Sequence, residues 1–159
     1  MRIRKFILFV EWTLLIVIGG SALLLMLPYS DMYHFNRDIK EAKRQGIYYE
    51  GSSKKQTYYG RRIRVDGVVY DKNQLIVYMT GAGMGPSNKL PNRVQVRSET
   101  GQLLDSSSGG SSTNVLRSRG YFEFRDVPIG LEQITIFNES YGQSFSFLIP
   151  LEGGDNKDE

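Results

Sequence analysis

The chain reads as mainly β: one N-terminal transmembrane helix, a short juxtamembrane helix, then an antiparallel immunoglobulin-like β-sandwich. Three observations predict this. Residues 6–27 form an apolar run broken only by Glu11. Met32, Phe35, Ile39 and Ala42 recur at helical spacing. From Thr57 onward, short segments of alternating apolar and polar residues follow one another at intervals of roughly ten residues, divided by turn residues.

The anchor comes first. At about 1.5 Å rise per residue, Phe6 to Leu27 reaches roughly 33 Å, enough to cross a hydrocarbon core of about 30 Å. Met1 to Lys5 precede the run and Pro28 closes it, so the expected boundaries are a tip over 1–5 and a transmembrane helix over 6–28. Arg2, Arg4 and Lys5 crowd the short side, while Arg37, Lys40, Lys43 and Arg44 beyond the helix are spread out. The positive-inside rule therefore predicts a single-pass cell-membrane protein with a cytoplasmic N-terminus and an extracellular C-terminal domain. A cleaved signal would end on small residues; Leu23 to Leu27 are bulky up to the boundary, so the helix is expected to be retained. Glu11 is the costly residue within it. It either snorkels toward Arg4 or Lys5, or meets a partner helix, for which Gly19 and Gly20 offer a surface of close approach.

Residues 29–46 read as an amphipathic helix, with Ser30 or Asp31 as cap and Gly46 at the C-terminal glycine position. Its apolar stripe is expected to pack on the chain's own domain, which spans 47–151. Thr57 to Tyr59 is a weak strand, and Arg62 to Tyr70 with Gln74 to Thr80 make a hairpin through Asp71-Lys72-Asn73. An irregular Gly81 to Pro91 follows. Arg93 to Arg97 and Gln102 to Asp105 flank a Glu99-Thr100-Gly101 turn. Ser106 to Thr113 has no apolar group to bury and reads as a mobile loop. Gly120 to Arg125, Gln133 to Asn138 and Gln143 to Pro150 are strands, giving seven or eight in all, a sandwich rather than an eight-stranded barrel. Residues 152–159 read as a disordered tail.

Composition excludes several chemistries. There is no cysteine, hence no disulfide, thiol nucleophile or zinc–thiolate site. The single histidine, His34, lies in the juxtamembrane helix, where no serine triad could use it. Gly81-Ala82-Gly83-Met84-Gly85 follows a strand, but Pro86 and Pro91 prevent the helix that a phosphate loop opens. The acidic residues are scattered over turns without the rhythm of a calcium loop or a glycosidase pair. No catalytic, cofactor-binding or metal residue is therefore expected. The net charge of +3 gives no nucleic-acid surface, since no recognition helix or aromatic interleaving accompanies it. What remains is surface. Tyr58 and Tyr59 sit beside Arg61 and Arg62, an aromatic and basic group suited to contact, and Met84 is an apolar loop tip.

The order Val65-Asp66-Gly67-Val68-Val69, Leu75-Ile76-Val77-Tyr78, Phe122-Glu123-Phe124 with Val127-Pro128, Ile134-Thr135-Ile136 and Phe145 to Leu151 resembles one bacterial family. It is the immunoglobulin-like extracellular domain, of unknown function, of Gram-positive membrane-bound anti-sigma-factor-like proteins. The resemblance covers roughly Arg62 to Leu151 and carries no catalytic residue. Those proteins place a cytoplasmic domain ahead of the helix, where this sequence has Met1 to Lys5. The expectation is thus a non-enzymatic, membrane-anchored extracytoplasmic binding module of a bacterial envelope complex, with another envelope protein as partner. The alternative is an envelope sensor that couples ligand binding through its helix to a membrane partner.

Overall fold

A computed structural model of the chain describes residues 2–25, 29–84, 89–113 and 116–151, with side-chain surroundings at 4–22 and from Arg37 on. The order is α1 (Arg2–Leu25), α2 (Tyr29–Arg44), β1 (Tyr48–Glu50), β2 (Gln56–Tyr58), β3 (Arg61–Asp71) and β4 (Gln74–Ala82). There follow β5 (Gln95–Ser98), β6 (Leu103–Asp105), β7 (Ser108–Thr113), β8 (Arg117–Phe124), β9 (Gln133–Ser140) and β10 (Gln143–Pro150).

The strands form two antiparallel sheets, which rules out the single closed barrel. A six-stranded sheet runs β1-β3-β4-β8-β7, with β2 pairing β3 along the same edge as β1; the second sheet runs β10-β9-β5-β6. Alternation decides which side chains meet between them. Ile63 and Val65 of β3, Leu75, Val77 and Met79 of β4, and Phe122 and Phe124 of β8 join Val96, Ile134, Ile136, Phe145, Phe147 and Ile149 in one core. Phe124 and Phe147 are its largest fully buried rings.

A bulge at Asp66 shifts the β3–β4 register between Val65 and Gly67. The extra residue turns its polar groups to use. The Asp66 carboxylate accepts from Arg64 Nε at 2.7 Å and from Thr80 Oγ1, and its carbonyl accepts from the Tyr48 hydroxyl at 3.0 Å and from Gly51 N at 3.2 Å. Beyond the bulge, β3 and β4 carry apolar groups on both faces. The outer ones, Val69, Ile76 and Tyr78, pack with Tyr48, Ile47, Ile39 and Ala42, so α2 docks on the outside of the larger sheet. Packing of the helix on its own domain is thus observed for Ile39 and Ala42. Its C-terminus closes as a Schellman motif: Gly46 at φ 69° donates to Lys43 O and Ile47 donates to Ala42 O.

Three expectations change. Ser106 to Thr113, read as a mobile loop, contains strand β7, paired with β8 over Ser108 to Thr113. An edge strand needs backbone partners rather than apolar side chains, and here the serines supply more. Ser107 N and Oγ both donate to Glu123 O, and Ser108 Oγ donates to the Glu123 carboxylate. The small residues also let β7 approach: a Cβ at Gly120 would lie 2.7 Å from Gly110 O. Second, β1 is a strand that three residues beginning Tyr48-Tyr49 do not announce. Third, α2 takes in Tyr29, Ser30 and Asp31, so the helix includes both expected cap residues rather than following them. The tail at 152–159, Pro28 and the centre of the glycine loop at 85–88 lie outside the described residues, as do the side chains of Met32, His34 and Phe35.

Helix α1 begins at Arg2, earlier than the expected Phe6, because nothing in the basic tip breaks a helix. From Arg4 to Ala22 it is long and apolar enough to cross a membrane, and none of that stretch is buried inside the chain.

Candidate functional site

Two hairpins of the same design meet at one end of the two-sheet domain. Tyr58 pairs with Arg61 across the loop Tyr59-Gly60, and Ser140 pairs with Gln143 across Tyr141-Gly142. In both loops both residues have positive φ: 49° and 71° in the first, 46° and 74° in the second. These are type I′ turns, whose twist suits a two-residue hairpin and whose first position favours Asn, Asp or Gly. Tyrosine in the left-handed region strains the backbone. The turns are joined side by side, because the Tyr59 hydroxyl donates to Ser140 O at 2.7 Å.

Below them, Tyr58 points inward and ties the two sheets together. Its hydroxyl donates to Asn138 Oδ1 at 2.7 Å, and Asn138 Nδ2 donates to Arg93 O at 2.8 Å. Burial, and to a lesser degree its neighbour Tyr59, pushes the Tyr58 hydroxyl pKa up, so the ring stays a neutral donor. Its ring meets Tyr59 edge-on at 4.7 Å and Phe145 edge-on at 5.2 Å, joining the turn to the core. Lower still, Gln56 Oε1 accepts from Ser146 N at 3.1 Å while its Nε2 donates to Ser146 O, so one side chain pairs part of the outer edge of β10.

The result is an open cleft of about 560 Å³ between β2, the β9–β10 turn and the segment from Lys89 to Arg93. Tyr59 and Tyr141 are on its rim; Arg61 and Arg93 supply cations, Lys89 contributes to the wall with its side chain buried, and Asn92, Asn138 and Ser140 supply polar groups. No Asp or Glu lines it. The Arg93 guanidinium meets Asp105 at 2.9 Å, outside the lining. Tyr141 is 97% exposed, and a Cβ at Gly142 beside it would touch nothing within 4 Å.

Of the residues expected from sequence to make contacts, Tyr58, Tyr59 and Arg61 come together here. Arg62 does not. It alternates to the other face of β3 and is exposed there, beyond reach of the cleft. Met84 is 89% exposed just after β4, where Gly83 N donates to Leu116 O. Glu11, Gly19 and Gly20 lie on exposed α1, and a Cβ on either glycine would meet nothing within 4 Å. Sequence reasoning missed Tyr141, Arg93 and Asn138. The local signal was the repeated Tyr-Gly pair directly after a strand; the adjacency of the two turns is a tertiary fact.

Among the described residues, no group of three or more His, Asp or Glu side chains could hold a metal ion. A second groove of about 330 Å³ runs between Leu90 to Asn92 and β7, lined by Ser106 to Ser111 and Tyr121. No protein-family model, no curated protein and no solved structure matches the chain.

Proposed function

We propose that the chain is a single-pass membrane protein whose immunoglobulin-like sandwich stands outside the cell as a non-enzymatic binding module of a bacterial envelope complex. The observation that carries this reading is the helix from Arg4 to Ala22, which is apolar and buries nothing within its own chain. So much apolar surface needs lipid or a partner. The sandwich, in contrast, completes its own core, with Ile63, Leu75, Val77, Ile134 and Ile136 fully buried. The tyrosine–arginine cleft supplies the binding surface.

Photocross-linking in native membranes tests it. A photoreactive aromatic residue in place of Tyr141 is expected to capture an envelope component. The same residue in place of Ile129, which is 82% exposed at the opposite end of β9, is expected to capture much less. Equal yields at the two positions, or lipid alone at both, would contradict a binding module.

A second reading follows from α2, which succeeds α1 and docks on the sheet through Ile39 and Ala42. A shift in the sandwich would reach the membrane helix through that contact, and Glu11 would pass it to a partner helix. Replacing Glu11 with leucine should then abolish function while leaving membrane insertion intact; a pure tether would keep its function.

A further inference from the structure

We infer that the cleft between the paired Tyr-Gly turns is a binding site for an acidic saccharide, that is, a glycan bearing carboxylate or phosphate groups. The inference rests on the binding-module reading for the role of the sandwich, and on the cleft itself for the ligand.

Strain is the first argument. A bulky residue at the first position of a type I′ turn gives up stability that Asn or Gly would keep, and both turns bordering this cleft accept that cost. At Tyr141 the fold receives nothing in return, since the ring is 97% exposed. Tyr59 differs in being tethered by its hydroxyl to the neighbouring turn and in meeting the Tyr58 ring edge-on. The outcome is two tyrosine rings held at the mouth of one trough. A tyrosine ring offers an apolar face and a polar tip, and it loses little entropy on binding. Such faces accept the C–H side of a pyranose ring.

Charge is the second. Arg61 and Arg93, the latter also meeting Asp105 from outside, line the trough, the Lys89 side chain is buried in its wall, and no acid lines it. Guanidinium groups bind carboxylate and phosphate through paired hydrogen bonds, which separates an acidic glycan from a neutral one. Asn92, Asn138 and Ser140 bring amide and hydroxyl groups to the same wall, suited to sugar hydroxyls. A peptide would need an apolar anchor pocket or a free strand edge. Here Leu90 is nearly buried, and the edge of β10 nearest the cleft is met by the Gln56 amide.

The test uses the full chain in nanodiscs of zwitterionic lipid, titrated by calorimetry with an oligogalacturonate, a phosphate-bearing glycan and a neutral maltooligosaccharide. At least one acidic glycan should bind about tenfold or more tightly than the neutral one, and added salt should weaken it. Carboxylate and phosphate probes tell the two anion types apart. Tyr141→Asn places a favoured residue in the turn, so it should leave the melting temperature unchanged or higher while weakening binding about tenfold. Arg61→Gln should weaken binding and flatten its salt dependence. Equal affinity for neutral and acidic glycans, binding unaffected by Tyr141→Asn, or preference for an acidic peptide or a single-stranded oligonucleotide would overturn the inference. If no glycan binds but cross-linking at position 141 captures an envelope protein, the saccharide assignment falls and the binding module stands. If neither occurs, both fall.

Discussion

Tyr78 and Tyr48 show how single residues hold the outer layer. Both lie under α2, and burial comes first among the causes that push their hydroxyls up, Tyr78 to about 12. Asp38 is the next cause for Tyr78, and Asp66 for Tyr48. A tyrosine whose pKa is raised on folding stabilises the fold fully below its ordinary value of 10.0, and that contribution is lost as pH rises toward about 12. Melting temperature should therefore fall between pH 10 and 12, and Tyr78→Phe should remove much of that dependence. Gly67 is a second pressure point, because a Cβ there would lie 2.1 Å from the Tyr48 hydroxyl oxygen. Gly67→Ala should cost about 1–3 kcal/mol by denaturant unfolding, through displacement of Tyr48. Neither effect is legible in sequence. Val-Asp-Gly-Val-Val looks like continuous strand, and only the register shift shows that Asp66 is a bulge.

Elements divide by whether their own residues announce them. Strands β8, β9 and β10 alternate apolar and polar residues against a buried core, and β3 and β4 add apolar residues on both faces, so a period or an apolar run is visible in each. Strand β7 has only Ser, Gly and Thr; what makes it a strand is backbone pairing with β8, to which the Glu123 carboxylate adds a side-chain bond at one end. The Ser108 hydroxyl bond, ahead of burial and the Arg125 charge, decides the direction for Glu123 and holds its carboxyl below the ordinary value of 4.5. Stability from a depressed carboxyl is present above that value and is lost as pH falls through the folded one. Amide hydrogen exchange should show Ser108 to Thr113 opening in acid before β8 does, and Glu123→Ala should open the same segment at neutral pH. The cleft divides the same way. Tyr58, Tyr59 and Arg61 are adjacent in sequence and stand out as a group. Tyr141, Arg93 and Asn138 reach them only because β2 closes the gap between the two sheets.

At the scale of the molecule, the two-sheet domain and α1 obey opposite rules. The two sheets bury large apolar groups between them, and Phe147→Ala should cost the domain about 3–5 kcal/mol in denaturant unfolding. Helix α1 leaves Phe9, Trp12, Ile16 and Ile18 more than three-fifths exposed, which water would not tolerate over such a length. In the proposed function α1 lies in the membrane and the two-sheet domain beyond it, with the cleft open to the outside. The chain has no cysteine, so a single introduced thiol reports its own surroundings. Ile129→Cys, in an exposed turn of the two-sheet domain, should be labelled in intact cells by a membrane-impermeant maleimide, and the labelled chain should sediment with membranes. Labelling that appears only after the cells are permeabilised would put the sandwich inside and contradict the account.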